Sequence, residues 1–588
     1  MFASVSASSP AASSAPRGPV LASKSRFRAA PLPDPTRVGL KVRVRTRVSA
    51  SFASGASHSA TVGVPASPPP KPAGLHVSTP GLIAGALFGG GPFLAWLMRR
   101  NDEDAPGNAR PMRDVGDEES SETGTTRARE TLGGDRNGSR PTVGSIGTSL
   151  PNPLFRTCAY LDYNATTPVF PEVARAMAPF VWDHFGNPSS GHAFASATRD
   201  AVAKARSQVA TCVGCAPDEI VFTSCGSESD NHAIASAVEH FKRDERNGAS
   251  GARGAETSVP HVVASAVEHP AILEYLIAGA ERGELTYTTV PVNGEGIVDP
   301  AAVAAAVTPN TCLVTLMHAN NEVGAVQPVA AAARAARAKN ARTLVHCDAA
   351  QSLGKIGVNC RDLEVDYLTI VGHKIGAPKG VAATFARRGA PWRKLLHGGG
   401  QESGRRAGTE NVVHIVALGA ACALIDAERD RLPQYMEACT DELRRVLRRE
   451  LGAWSGEGEG AEDGVRFNGP AEASKRLPNT VSVGIKGVSA SVLLDALRDD
   501  VAASAGAACH SGEAAASISG VLVAMGVPEA YAVGTLRLSV GRHTTVQDVE
   551  RGAARIVAAA KKQRAEIDAM PEGERPWWCV RKAVGIVE

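Results

Sequence analysis

Between Tyr160 and Phe385, short runs of aliphatic and β-branched residues alternate with alanine-rich stretches of helical spacing, and few folds accommodate that rhythm. The runs at 219–222, 262–265, 285–292, 311–318, 343–347, 367–371 and 380–385 predict strands, and 195–212, 230–241 and 329–339 predict helices. Strands alternating with helices of this length predict an α/β fold with a mostly parallel sheet. Such sheets bind ligands beyond the carboxyl ends of their strands, where loops present polar groups. Several of the predicted strands do end in polar clusters. After residue 411 the texture changes to a long helical run over 412–451, broken at Leu432-Pro433, and then to a second mixed region that predicts a smaller domain.

The polar strand ends suggest one chemistry. In Asp366-Tyr-Leu-Thr-Ile-Val-Gly-His-Lys374 an apolar strand delivers a lysine, and the Gly/Pro-rich turn Ile-Gly-Ala-Pro-Lys-Gly380 follows. A lysine with a lowered pKa at such a place forms Schiff bases with carbonyl compounds. In Leu344-Val-His-Cys-Asp348-Ala-Ala-Gln351, a carboxylate ends another apolar strand. A buried carboxylate needs a partner; a cationic pyridinium nitrogen is one, and capping of a following helix is the alternative. Phe222-Thr-Ser-Cys-Gly226-Ser227 is a strand, a turn of small residues and a helix start, suited to a phosphate at a helix N-terminus. Glu268-His269-Pro270 and His318-Ala-Asn-Asn321 end two further strands, where a His269 ring could stack on a planar cofactor and Asn321 could bond its phenolic oxygen.

These segments, together with Asp162-Tyr-Asn-Ala-Thr-Thr-Pro168, Gly186-Asn-Pro-Ser-Ser190 and Gly408-Thr-Glu-Asn411, occur in one order over roughly residues 158–566. The set closely resembles the cysteine desulfurases of the class-V aminotransferase fold, the nitrogen-fixation and iron–sulfur-assembly type. That resemblance implies the fold-type-I architecture of transferases dependent on pyridoxal 5'-phosphate (PLP). It comprises a large domain at 158–425 with a mostly parallel seven-stranded sheet, and a smaller α/β domain at 426–566 carrying the catalytic cysteine loop. Residues 158–171 are expected to pack with the smaller domain, and 567–588 to form a tail.

The resemblance also implies roles. Lys374 is the lysine that carries PLP and moves the proton at the substrate α-carbon, Asp348 the partner of the ring nitrogen and His269 the stacking imidazole. Asn321 and Gln351 face the phenolic oxygen, with Asn321 also near substrate. Gly226, Ser227 and His373 contact phosphate, and Thr409 does so from a partner subunit, which implies a homodimer. Arg537, in Leu-Arg537-Leu-Ser-Val-Gly-Arg542, is similar to the residue that grips the substrate carboxylate, a task suited to a bidentate guanidinium. Cys509, in Ala505-Gly-Ala-Ala-Cys509-His-Ser511, decides the reaction type. In the family a cysteine there takes the substrate sulfur as a persulfide and alanine leaves. That task needs a thiolate on a mobile loop, which the small residues around Cys509 predict, and a protein that accepts the sulfur. No metal is expected.

Some positions depart from the common pattern. Val371 stands where those enzymes often have Ser, Gly398-Gly-Gly-Gln401-Glu402 replaces a common Gly-Gly-His-Glu, and His-Ser-Gly-Glu-Ala follows Cys509. These features are similar to the selenocysteine lyase branch, which makes release of selenide from L-selenocysteine the alternative reaction. A class-V transaminase is a further alternative, and from a different class so is a catalytically silent, membrane-tethered scaffold. Cys212-Val-Gly-Cys215 has no second pair at metal-ligand spacing, so a loop and helix-end reading is preferred.

The first 150 residues are of another kind. Residues 1–60 hold thirteen Ser, nine Lys/Arg and one acid, the composition of an organellar transit peptide; a leader at 1–70 is expected, chloroplast ahead of mitochondrion. The uncharged run 81–98, followed by Arg99-Arg100, has nearly the length of a bilayer span but contains Gly89-Gly-Gly-Pro92, and is a candidate membrane anchor. Residues 99–150 predict a disordered linker. The chain has 63 Lys/Arg and 60 Asp/Glu, of which 18 and 11 lie in the first 150 residues, leaving 45 and 49 in the body. A slightly acidic body excludes nucleic-acid binding by bulk charge. Eleven cysteines in 588 residues exclude a disulfide scaffold.

Overall fold

The computed structural model describes residues 152–246, 258–452, 464–505 and 518–576. The expected leader at 1–70, the apolar run 81–98, the linker 99–150, Cys509 and the end of the tail from Trp577 lie outside the described residues. Among the described residues no helix is long and apolar enough to cross a membrane.

The fold is α/β. A seven-stranded sheet is built from β1 (Ile220–Thr223), β2 (His261–Ser265), β3 (Thr286–Val290), β4 (Thr311–Met317), β5 (Leu344–Asp348), β6 (Tyr367–Val371) and β7 (Ala382–Ala386). Their order is β1-β7-β6-β5-β4-β2-β3. Only β7 runs against its neighbours; β2 to β6 pair in parallel. Helices cover both faces, so strands such as β4, Thr-Cys-Leu-Val-Thr-Leu-Met, are buried along their whole length. The edge strand β3 exposes its threonines instead.

Helices α1 (Ser196–Val213), α2 (Gly226–Arg246), α3 (Pro270–Glu281) and α4 (Val329–Lys339) lie within this region, and α5 (Val412–Ala427) closes it. On α1, Val202, Ala205, Val209 and Val213 recur at helical spacing and are buried. The helix ends at Gly214 with φ +71°, where a Cβ would lie 2.6 Å from the Asn359 side chain. Helix α5 packs on α1 at small residues: a Cβ on Gly419 would come 2.6 Å from the Ala205 Cα.

The helical run predicted over 412–451 is two helices, α5 and α6 (Leu432–Leu451). The break falls at 428–431, just before the predicted place, because Pro433 occupies the first turn of α6, where its missing N–H costs nothing. Beyond α6, β8 (Val465–Asn468), β9 (Thr480–Ile485) and β10 (Thr535–Ser539) form an antiparallel sheet with β9 in the middle. Helices α6 and α7 (Val546–Asp568) pack on it around Leu443, Leu447, Val483, Leu538 and Ile556. A reciprocal cap between Thr545 and Asp548 starts α7.

The N-terminal segment joins this second core. Ala159 and Tyr160 pair in parallel with Val501 and Ala502, and Leu161 is buried among the same apolar side chains. Residues 162–168 then cross to the large sheet, where Thr167 N donates to the His373 carbonyl at 2.9 Å.

Candidate active site

The carboxyl ends of β1, β2, β4, β5 and β6 lie along one edge of the sheet, and their polar clusters meet there. Strand β6 ends in the turn Gly372–Lys374, and Lys374 Nζ donates to the carbonyls of Asn164 at 2.6 Å and Ala165 at 2.9 Å. The crossing segment thus holds the lysine in place.

Asp348 closes β5, is 7% exposed, and accepts a hydrogen bond from Ala350 N at 2.8 Å. Burial pushes its carboxyl up, against the Ala350 N–H and the pull of His269 and Lys374. His269 caps α3, with Nδ1 accepting from Ala271 N at 3.1 Å. Burial lowers its pKa, Asp348 raises it and Lys374 lowers it again. The three residues from three strand ends therefore lie within electrostatic reach of one another. Beneath Asp348, the fully buried His346 bonds Thr315 Oγ1 at 2.8 Å and Thr369 Oγ1 at 3.0 Å.

The phosphate-type turn lies at the end of β1, where α2 begins at Gly226. A Cβ on Gly226 would stand 2.8 Å from Val371 Cγ2, so the Val371 methyl fills the space that a larger residue would need. Ser227 is exposed at the helix start. His373 is half-buried, with Nδ1 3.2 Å from Thr166 Oγ1, and burial together with Lys374 and Lys379 pushes its pKa down to about 4. Glu402, next to the departure at Gln401, acts on β1. Glu402 adopts φ +52°, receives two hydrogen bonds from Arg206 and accepts from Phe222 N at 2.9 Å. Gln401 Oε1 accepts from Gly408 N at 3.2 Å. Thr409 is exposed and borders, with Phe222, Thr223 and Ser224, a cavity of about 140 Å³.

Arg537 enters from β10 and is 2% exposed. Its guanidinium donates to Asp162 Oδ1 at 2.9 Å, Ser504 Oγ at 3.1 Å and the Asn321 carbonyl at 3.1 Å, while Nε is buried without a partner. This brings Arg537 and Asn321 together. Cys509 lies outside the described residues, but both flanks of its segment reach the site. Ser504 Oγ donates to Asp162 Oδ1 at 3.0 Å, and Ser519 Oγ donates to Glu322. From Val521 to Ala532 the chain packs on Val267 and Met317, beside His269.

The residue to which the motifs assigned no role is Asn164. Its carbonyl takes Lys374 Nζ and Gln351 Nε2, its Oδ1 takes Asn479 Nδ2 and Lys355 Nζ, and its Nδ2 donates to the Asn321 carbonyl and Thr480 Oγ1. The available signal was its place in Asp162-Tyr-Asn164, polar residues inside a segment otherwise suited to packing. The cysteines of Cys212-Val-Gly-Cys215 have thiol partners far away in sequence: Cys212 with Cys422, and Cys215 with Cys360. Among the described residues no group of three or more candidate ligands could hold a metal ion.

The residues fit PLP. Asp348 is a buried carboxylate with, among the described residues, no ion pair, which suits a cationic ring nitrogen. Gly226 opens α2, whose first backbone N–H groups suit a phosphate, and Lys374 lies within electrostatic reach of Asp348.

The class-V aminotransferase family matches residues 159–551. A cysteine desulfurase of Trichormus azollae is 40% identical over 393 residues, covering 67% of this chain and 90% of the relative. The selenocysteine lyase of Bos taurus is 38% identical over 429 residues, covering 68% and 94%. Among solved structures, a NifS-like protein superposes with a TM-score of 0.60 at 33% identity, covering 69% of this chain and all of its own. One titled SspA in complex with cysteine gives 0.54 at 30% identity, covering 66% and 100%. Strand order, converging residues and relatives agree: the chain belongs to the PLP-dependent cysteine desulfurase and selenocysteine lyase family of class-V aminotransferases.

Proposed function

We propose that this protein is a cysteine desulfurase, converting L-cysteine to L-alanine and passing the sulfur to Cys509 as a persulfide. The observation that carries this reading is the meeting of Lys374, Asp348, His269 and Arg537 at one sheet edge, with both flanks of the Cys509 segment beside them. Covalent geometry keeps Cys509 within about 18 Å of Ser504, a hydroxyl in contact with Arg537.

PLP, when bound, withdraws electrons from the substrate α-carbon. Lys374 holds it and moves the proton at that carbon; Asp348 keeps a proton at the ring nitrogen and His269 stacks against the ring. Asn321 and Gln351 orient the phenolic oxygen, and Gly226, Ser227 and His373 hold the phosphate. Arg537 offers Nε to the substrate carboxylate. The Cys509 thiolate attacks the substrate sulfur, the C–S bond breaks with its electrons left on carbon, and a proton completes alanine.

Two readings on the same machinery are separated by substrate. Val371 and Gln401, together with the bovine relative, favour selenocysteine lyase as the second. The test is turnover of the PLP-loaded full chain on L-cysteine and L-selenocysteine under reducing conditions, with Cys509→Ser beside it. Sulfide and alanine in equal amounts, lost in Cys509→Ser while PLP stays bound, support desulfurase. Selenide release with cysteine acting as inhibitor supports the lyase, and a protein that takes up no PLP supports the silent scaffold.

The exposure of Thr409 suits a residue reaching a second subunit, and sedimentation tests the homodimer. The persulfide implies a sulfur-accepting protein, in iron–sulfur cluster assembly or another sulfur pathway. The Ser- and Arg-rich leader supports an organellar address, chloroplast first, and residues 81–98 are the candidate anchor; a fluorescent fusion and membrane fractionation test both.

A further inference from the structure

Lys355 is an amine the chemistry above does not use. It is 5% exposed, and Nζ donates to Gln351 Oε1 at 2.9 Å and to Asn164 Oδ1 at 3.3 Å. Among the described residues no carboxylate pairs with it. The charged groups acting on it, Lys374 and Arg537, are both cations, and they add to burial in pushing its pKa well down. Spending a buried amine here without an anion is costly, so what it touches matters.

It touches the amide of Gln351, four residues earlier on the same turn. On the other side of that amide, Nε2 donates to the Asn164 carbonyl at 3.0 Å, the carbonyl that also takes Lys374 Nζ at 2.6 Å. A carbonyl only accepts, so nitrogen faces Asn164 and oxygen faces Lys355. Asn164 Oδ1 is an acceptor for the same kind of reason, because its Nδ2 is committed to the Asn321 carbonyl. Lys355 thus meets two acceptors and supplies the donor to both. One hydrogen of Gln351 Nε2 is used by Asn164, and the second is left over beside Lys374.

We propose that Lys355 is a positioning residue for the cofactor: by donating to Gln351 Oε1 it holds the amide with its second N–H turned to the PLP phenolic oxygen. The proposal rests on the reading of Gln351 as the group facing that oxygen. Without Lys355, Oε1 is a buried acceptor with no donor, and the amide is released to rotate.

An N–H donor stabilises the phenolate, so losing it keeps a proton on bound PLP to higher pH. The test is a pH titration of the absorbance of the purified holoenzyme, with unfolding measured alongside. Gln351→Ala is expected to raise the titration midpoint by about one unit. Lys355→Met is expected to raise it as far, and the double variant no further, because both act through one hydrogen bond. Lys355→Gln, which keeps a polar group at that depth, moves it the same way by less and serves if the methionine variant does not fold. A midpoint unmoved in the folded Lys355 variants while Gln351→Ala moves it would overturn the proposal. A midpoint unmoved by Gln351→Ala would overturn the Gln351 reading, and the proposal with it. Additive shifts in the double variant would overturn the route through Gln351.

Discussion

Arg537→Lys isolates what the guanidinium does. The arginine is fixed by Asp162, Ser504 and the Asn321 carbonyl, and only Nε is left buried and unpartnered. A lysine keeps the charge but loses the planar fork, so it cannot satisfy those three oxygens and an incoming carboxylate together. The loss is one charge-assisted hydrogen bond to substrate, about 1.5–3 kcal/mol. That converts to a rise in KM for L-cysteine of about 10- to 150-fold. The carboxylate takes no part in bond making, so its grip is alike in ground and transition states, and kcat should stay within a few-fold. Steady-state alanine formation reads both constants. Thermal unfolding of the same sample should fall by a few degrees, since Asp162 loses its hydrogen bond from the guanidinium. An unchanged KM, or a fall in kcat alone, would refute the assignment.

Gly226→Ala should weaken PLP binding about tenfold, read by equilibrium dialysis, because its Cβ meets Val371 Cγ2 at 2.8 Å; adding Val371→Ala should restore most of the affinity, and failure to do so would remove the steric account. Gly419→Ala should cost about 1–3 kcal/mol in urea unfolding, since its Cβ meets the Ala205 backbone at 2.6 Å and a backbone cannot rotate away; a neutral substitution would show that α1 and α5 have slack. His346 is held neutral by burial, which lowers its pKa to about 3 against about 6.5 unfolded. A depressed folded pKa means that its stabilisation is complete above pH 6.5 and is lost as pH falls towards 3, by up to about 1.4 kcal/mol per pH unit. The stability gap between wild type and His346→Asn should therefore narrow from pH 7 to pH 5, and a gap constant with pH would contradict this.

The inner strands were legible because a sheet covered on both faces demands apolar-rich runs, and Thr311–Met317 and Tyr367–Val371 are buried at every residue. The polar ends were legible for a related reason: a charged or amide group directly after such a run has one place to be. That is how Lys374, Asp348 and His269 stood out as separate signals. Local chemistry was less reliable at boundaries. Helix α2 starts at Gly226, ahead of the predicted start at residue 230, because small polar residues form its first turn. The break before α6 was displaced because Pro433 is tolerated within a first turn.

What the sequence by itself determined is the order of elements and the residue types at each strand end, since both follow from burial and local geometry. What only the tertiary structure decided is how those residues are held. Asp162 and Arg537 stand 375 positions apart, as do Asn164 and Ser539. The web around Asn164 joins Lys374, Asn321, Asn479 and the neighbouring pair Gln351 and Lys355, from four segments that no period or spacing relates to one another. A hydrogen bond requires about 3 Å and a direction, and only the closing of two sheets over residues 162–168 brings those atoms to that distance.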